Sequence, residues 1–441
     1  MEIVSCYGVK IKHYNHIFKQ TVELYRKAVA FFLAVCEKEW DTLSQIKSSN
    51  SKQSYIEKLT HRTKKNPDIR YDFDLLFYKF PSYLRRAAIN EATGKFSSYQ
   101  TNLEKWQDAP EGRMPSLPKA GFSFPSLYRD GIYKRTGEYT AQIKVYTRNT
   151  WDWIDIQLKK GDVDYIQHHC QDREECAPTL QKRGKEWFLD FPFKEWVILN
   201  GTPAKEQVIA AVDLGINNAA TVSVMRADGT ILGRHFCQFP KEKDSLTHAI
   251  NRIKKAQQHG ARTMPCLWGR AKGINDDIAS KTARFIMDVA VLYNVDVIVF
   301  EHLDKPGKKR GSKKQRLHLW KYGRVQGIVT NQAHRLGMHI SRVNAWNTSR
   351  LAFDGSGRVL RGSESEKTGG SYSVCEFQTG KIYHCDLNAT YNIGARYFIR
   401  EILKSLPETE RLDVEAKVPA CSKRNTCTLS TLISMNAVLA A

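Results

Sequence analysis

Two strongly apolar runs in the C-terminal half of the chain each end in an acid: Val208-Ile209-Ala210-Ala211-Val212-Asp213, and Val295 to Phe300 followed by Glu301. Short apolar runs rich in β-branched residues and lacking polar alternation are the pattern of strands buried on both faces, which occur in sheets covered by helices. A carboxylate at the end of such a strand is costly unless it is paired or bound to a metal. Either acid alone reads as an ordinary turn residue after a strand; two of them constrain the fold more than any other feature of the sequence. A third acid, Asp386, stands in HCDLNATYNIGARYF, where Leu387, Asn388, Ala389, Asn392 and Ile393 open an amphipathic helix. Taken alone it reads as a helix N-cap.

The order of elements around these acids predicts an α/β fold. From Gln207 the chain reads as strands at Val208 to Val212, Ala220 to Met225 and Ile231 to Phe236, with Asp228-Gly229 as the hairpin turn between the last two. Then come a basic helix near Asp244 to Gln258, an amphipathic helix near Asn275 to Tyr293 and the strand Val295 to Phe300. A helix near Leu317 to Leu336 and a strand at Met338 to Val343 follow. This is the order of a ribonuclease H-like fold. The N-terminal half differs: Glu2 to Lys12 alternates with period two, Tyr14 to Asp108 is a helical block, and Pro110 to Gly121 is punctuated by proline and glycine. Strand-like runs (GFSFPSLY, EYTAQIKVYT, TWDWIDIQL, EWFLDFPFK) complete it. The expectation is a β-barrel opened by the first strand, with a helical domain inserted after it. The tail beyond Leu412 lacks a clear core face, as a disordered segment would, although its last apolar dozen residues suit a docked helix.

Lys and Arg number 68 against 46 Asp and Glu, a formal charge of +22 on 441 residues and a pI near 9.5, which makes a polyanion the expected partner. No stretch is long and apolar enough for a membrane span, and Met1 to His16 lacks a signal peptide's apolar core, so an intracellular protein without a membrane partner is expected. The ten cysteines are scattered rather than arranged as a disulfide framework. Mg²⁺ takes hard oxygen ligands from several carboxylates and keeps positions open for phosphate and water. Three acids on two strand ends and a helix start supply such ligands, and two ions about 3.5–4 Å apart suit phosphodiester hydrolysis.

AAVDLGINNAATVSV, VIVFEHLD and HCDLNATYNIGARYF closely resemble the three RuvC motifs of the transposon-encoded TnpB nucleases and the compact type V CRISPR effectors. The resemblance covers nearly the whole chain. It implies a wedge (WED) barrel from residues 1–12 and 111–203, a helical recognition (REC) domain at 13–110, and a RuvC nuclease at 204–347 completed by a helix at 383–408. Between the last two lies a target-nucleic-acid-binding insert at 348–382, and 409–441 is the tail. It further implies an RNA-guided DNA endonuclease of the prokaryotic cytoplasm, associated with the nucleoid, with guide RNA and double-stranded target DNA as partners. Asp213, Glu301 and Asp386 become the catalytic ligands of two Mg²⁺ ions. An RNA-guided repressor that does not cut, and a RuvC-type nuclease or transposase working without RNA, are the alternatives. At 441 residues the chain is short for cradling a heteroduplex of about 20 base pairs, so a monomer on a large RNA is expected, with a homodimer as the alternative.

Two departures from the family pattern are visible. Glu301-His302-Leu303 stands where the family commonly has Glu-Asp-Leu, and Ala345 to Tyr383 lacks the four cysteines of the family's zinc ribbon. Cys375, His384 and Cys385 are the only nearby ligands, fewer than the four a structural zinc needs, so zinc is not expected there; His168, His169, Cys170 and Cys176, read as a loop between strands, are an equally weak metal candidate. Nucleic-acid-binding candidates are the run Lys305, Lys308, Lys309, Arg310, Lys313, Lys314 and Arg316, then Lys254 and Lys255 on the preceding basic helix, and Arg85 and Arg86 in the helical block. Cations beside an acidic site hold a phosphate backbone close to it.

Overall fold

The structure, a computed structural model, describes every residue except 14, 15, 109, 111, 112, 129, 217, 304–320 and 424. The chain divides into two compact units, Glu2–Trp196 and Val197–Ala441, the latter with Met1.

The first unit begins with β1 (Glu2–Lys10), followed by α1 (Ile17–Lys38), α2 (Trp40–Gln45), α3 (Ser49–Thr60), α4 (Phe73–Leu76) and α5 (Ser82–Asp108). Then come β2 (Tyr133–Arg135), β3 (Thr140–Thr147), β4 (Thr150–Gln157), α6 (Lys160–His169), β5 (Glu174–Glu175), β6 (Thr179–Arg183) and β7 (Glu186–Trp196). Along α1, Phe18, Val22, Tyr25, Val29 and Phe32 recur at helical spacing and are all buried. They share one core with strand residues such as Val9, Ile143 and Phe191, and α1 is tied to β3 where Tyr146 N–H donates to Thr21 Oγ1 at 2.9 Å.

The expected barrel does not close. The strands form two open sheets, β1-β7-β5 with β6 also on β7, and β2-β3-β4. Between them, among the described residues, runs a single isolated bridge, Ile11 to Leu158, whereas closure requires a continuous ladder round the ring. The reading of His168 to Cys176 as a loop is also corrected: His168 and His169 end α6, and His169 Nδ1 is bonded to Tyr165 O at 2.8 Å, one turn back on the same helix.

The second unit holds a five-stranded sheet in the order β10-β9-β8-β11-β12, made of β8 (Val208–Asp213), β9 (Ala220–Arg226), β10 (Ile231–Cys237), β11 (Val297–His302) and β12 (His339–Asn344). β8, β9 and β10 are antiparallel neighbours, while β11 runs parallel to both β8 and β12. Gly229 at φ 94° makes the β9–β10 turn, and Asp228 Oδ1 accepts from Thr230 N–H at 2.8 Å. The helices are α7 (Pro240–Gln258), α8 (Pro265–Leu292), α9 (Tyr322–Arg335), α10 (Cys385–Ser405), α11 (Glu408–Lys417) and α12 (Leu429–Ala440). Between β12 and α10 lies a small sheet of β13 (Leu360–Arg361), β14 (Val374–Glu376) and β15 (Ile382–His384).

Alternation along the central strands sorts their side chains between two cores. Ala210, Val212, Ile298 and Phe300 pack with residues of α8 and α9, while Ile209, Ala211, Val297 and Val299 pack with α10. Helix α10 comes so near the sheet that a Cβ on Gly394 would stand 2.1 Å from Met225 Sδ and 3.3 Å from Ala211 Cβ. Of the two readings of the tail, the docked helix is the one that its described residues take: they form α11 and α12, and Leu429, Leu432 and Met435 of α12 are buried against α10. Among the described residues no helix is long and apolar enough to cross a membrane.

Candidate active site

Strand parity decides where the acids go. Asp213 follows Val212 and Glu301 follows Phe300, so both acids take the parity of the residues facing α10. Val212 and Phe300 are register partners in the parallel pair β8–β11, which sets Asp213 beside Glu301 on neighbouring strands about 4.8 Å apart. The third acid arrives from the helix on that face. Asp386, the second residue of α10, accepts at Oδ2 from Asn218 Nδ2 at 2.6 Å and from Thr221 Oγ1 at 3.5 Å. Thr221 is the register partner of Asp213 across β8–β9. The structure therefore brings together the three acids that the sequence scatters over 173 positions (386 minus 213).

Their charges interact. Burial first, then the negative charges of Glu301 and Asp386, hold the Asp213 carboxyl well above the ordinary aspartate range. Burial also raises Glu301, against the lowering effects of a hydrogen bond from Thr348 and of the Arg396 guanidinium. Two carboxylates crowded in low dielectric resist ionising together, a repulsion that a cation or a shared proton would relieve. Among the described residues no group of three His, Cys, Asp or Glu side chains is already closed round one ion position. Asp386 is turned onto Asn218 and Thr221, and Glu301 onto Thr348.

The residues that aim these carboxylates are not ones that the sequence singles out. Thr348, in the segment that lacks the cysteines of the family's zinc ribbon, is 3% exposed and donates its hydroxyl to Glu301 Oε1. Its own carbonyl accepts from Asn392 Nδ2 at 2.9 Å, and the same amide donates to Leu351 O at 2.8 Å. Asn388, one turn earlier on α10, bonds Leu351 O and Phe353 N–H, both at 2.8 Å. A polar stripe of α10 thus holds the loop that holds Glu301. The signal for it is the pair of asparagines four apart on the buried face of the helix, which by themselves look like helix-opening residues. Asn218 is itself fixed by Gln238 Nε2 at 2.7 Å. Asp386 is not the N-cap: that position is His384, whose Nδ1 accepts from Asp386 N–H at 3.2 Å.

The basic candidates divide three ways. Lys305, Lys308, Lys309, Arg310, Lys313, Lys314 and Arg316 lie outside the described residues. Lys254 and Lys255 are exposed on α7. Arg85, expected at a nucleic-acid surface, is instead buried in the first unit with a nitrogen 3.6 Å from Glu57, and burial lowers its pKa; Arg86, on the same Glu57 at 3.2 Å, stays exposed. The two faces of α5 explain the difference, since Leu84, Arg85 and Ala88 lie inward while Arg86 lies outward. His302, at the position where the family commonly has Asp, is exposed at the end of β11. In the small sheet, Cys375 and Cys385 are both buried, and their mutual hydrogen bond is the first cause raising the Cys375 thiol.

Residues 5–147 match the model of the Aq_aa04 family. An uncharacterized protein of Aquifex aeolicus (strain VF5) is 29% identical over 125 residues, 26% of this chain and 69% of its own length. A TnpB-like protein of Methanocaldococcus jannaschii is 22% identical over 212 residues, 46% of this chain and 72% of the relative. A TnpB-like protein of Aquifex aeolicus is 24% identical over 241 residues, 49% and 76% of the two chains. Among solved structures, the Cas12f1–sgRNA–target DNA complex contains a chain of similar fold, with a TM-score of 0.53 at 14% identity over 86% of this chain and 81% of that one. The chain thus has a mixed α/β fold like that of the chain in the Cas12f1 complex, and about half of its length is similar to TnpB-like proteins.

Proposed function

We propose that the protein is an RNA-guided DNA endonuclease with one hydrolytic site, formed by Asp213, Glu301 and Asp386. The observation that carries this reading is the convergence of these three acids on one face of the sheet, close enough for two of them to raise the Asp213 carboxyl. In this reading the five-stranded sheet with its helices is a ribonuclease H-like RuvC nuclease. Glu2–Trp196 contains the recognition helices and wedge strands, and 348–382 is the insert that meets target nucleic acid. The partners are a guide RNA and double-stranded DNA, in keeping with the +22 charge and with the sgRNA and target DNA held by the Cas12f1 chain of similar fold.

The donor set fits Mg²⁺. All three side chains offer hard oxygens, and the repulsion that raises Asp213 is what a divalent cation relieves. Two bound ions would supply an activated water and charge neutralisation at the leaving oxygen of a phosphodiester. The protein's own contribution is alignment: Thr348 fixes the direction of Glu301, Asn218 and Thr221 fix Asp386, and the adjacent strand ends fix the separation of Asp213 from Glu301. Guide pairing reads sequence while the protein reads duplex shape and a short flanking motif.

The full-length protein, purified with its copurifying RNA sequenced, should cut double-stranded DNA carrying the RNA's complement in Mg²⁺. The single replacements Asp213→Ala, Glu301→Ala and Asp386→Ala should remove cutting and keep guide-dependent DNA binding. Absence of a discrete RNA, or cutting by all three variants at the parent rate, would refute the proposal.

A further inference from the structure

The loop after β12 turns two neighbouring side chains in opposite directions. Thr348 is 3% exposed and donates to Glu301, whereas Trp346, two residues earlier, is 68% exposed. Between them Asn347 takes φ 65°, a left-handed conformation that Asn tolerates better than most residues. A large indole facing water gains nothing from packing, yet its backbone is firmly held. Its N–H donates to Asn344 Oδ1 at 2.8 Å, and its carbonyl accepts from an Arg396 Nη at 2.7 Å.

Arg396 makes this arrangement expensive. The side chain is 5% exposed, and its bonds go to the main-chain carbonyls of Asn344, Trp346, Asn425 and Cys427. A buried guanidinium without a bonded carboxylate carries a large desolvation cost, and two of its bonds flank the one residue of the loop whose large side chain points outward. Two residues of chain span at most about 7 Å, so Trp346 lies that close to the threonine that touches Glu301. Beside the same strand end opens a cleft of ≈ 760 Å³ in which Arg342, Arg400, Lys404 and Arg411 outnumber Glu401 and Glu415. An exposed ring on a firmly held backbone, two residues from the threonine that touches Glu301 and with a cationic cleft alongside, has the features of a site for single-stranded nucleic acid: a π face for a base and cations for the backbone.

We infer that Trp346 is a stacking platform for one unstacked base of the DNA strand presented to Asp213, Glu301 and Asp386. The inference rests on the nuclease reading for which strand is presented, but the stacking itself is measurable without cleavage. Because every base offers a π face, the platform would be tolerant of sequence.

The test uses the full-length protein in Ca²⁺ and a single-stranded oligothymidylate of about 12 nucleotides, within the usual site size for such grooves. A companion series places one abasic residue at each position in turn. For the parent, an abasic residue at one position should weaken binding about 5- to 150-fold, the span of one base–aromatic stack of about 1–3 kcal/mol. Trp346→Ala should weaken binding of the intact oligonucleotide by a similar factor and abolish that positional penalty. Trp346→Phe and Trp346→Tyr should restore both, and the melting temperature of Trp346→Ala should match the parent because the ring is exposed. The inference is overturned if Trp346→Ala binds like the parent, if it keeps the abasic penalty, or if the parent shows no binding or no such position. A parent that shows the positional penalty and yet cuts DNA under no guide would support the platform and sink the nuclease reading instead.

Discussion

Replacing Asp213 by asparagine should stabilise the metal-free protein while removing its response to Mg²⁺. The Asp213 carboxyl is raised in the fold by burial and by the negative charges of Glu301 and Asp386. A carboxyl whose folded pKa lies above its unfolded value favours the protonated form, so its contribution is favourable at low pH and is lost as pH rises through the raised pKa. Once ionised, the group faces Glu301 across one strand spacing of about 4.8 Å. One such pair repels by about 3.5 kcal/mol at an effective dielectric of 20, an upper bound because the site meets solvent and a proton can be taken up instead. Asp213→Asn should therefore gain about 1–3 kcal/mol at pH 8, which for a unit of this size is about 2–10 °C in melting temperature. Differential scanning fluorimetry in chelator from pH 5 to pH 9 measures it. The parent should lose stability with rising pH and regain it with Mg²⁺, as a ligand held by the folded state alone would give; the variant should be flatter with pH and indifferent to Mg²⁺. A variant less stable than the parent at every pH, with the parent insensitive to Mg²⁺, would refute the electrostatic account of the site.

Thr348→Val removes the hydroxyl that aims Glu301 and should lower cleavage about 10- to 100-fold, the usual cost of losing an outer-shell partner, with guide-dependent DNA binding unchanged; parent-like cleavage would make Thr348 merely structural. Deleting residues 419–441 uncovers the pocket that buries Leu429, Leu432 and Met435 and strips Arg396 of its Cys427 and Asn425 carbonyls. At about 1.5–3 kcal/mol for each buried side chain, the deletion should abolish the cooperative thermal transition of the second unit, and a parent-like melt would contradict the packing described for α12. Metal analysis of purified protein should find well under one equivalent of zinc; a stoichiometric zinc that survives chelator dialysis would point to Cys375, Cys385 and His384. RNA affinity should fall steeply between 50 and 200 mM salt, by roughly 10³-fold for about six phosphate contacts, and a flat response would exclude the +22 charge as the source of binding.

Periodicity is a local property, and what it encodes is legible in the sequence. The apolar runs before Asp213 and Glu301 could only be buried strands, the Asp228-Gly229 turn joins two neighbouring strands, and the Phe18 to Phe32 stripe has to face a core, because each of these follows from side-chain direction along a single element. Contacts between elements distant in sequence needed the tertiary structure. Strand parity puts Asp213 and Glu301 on the α10 face, but only the crossing of α10 over the sheet brings Asp386 to them through Asn218 and Thr221. Thr348 looks like the remnant of a lost metal ribbon until the loop after β12 lays its hydroxyl on Glu301. Arg85 and Arg86 are adjacent and chemically identical, and the packing of α5 buries one and exposes the other. The two sheets of the first unit remain open because closure depends on a ladder between strands far apart in the chain, which no pattern within a strand specifies. The tail is ordered for the same reason: its apolar residues find their partners on α10, and a segment read without its partner shows no face to bury.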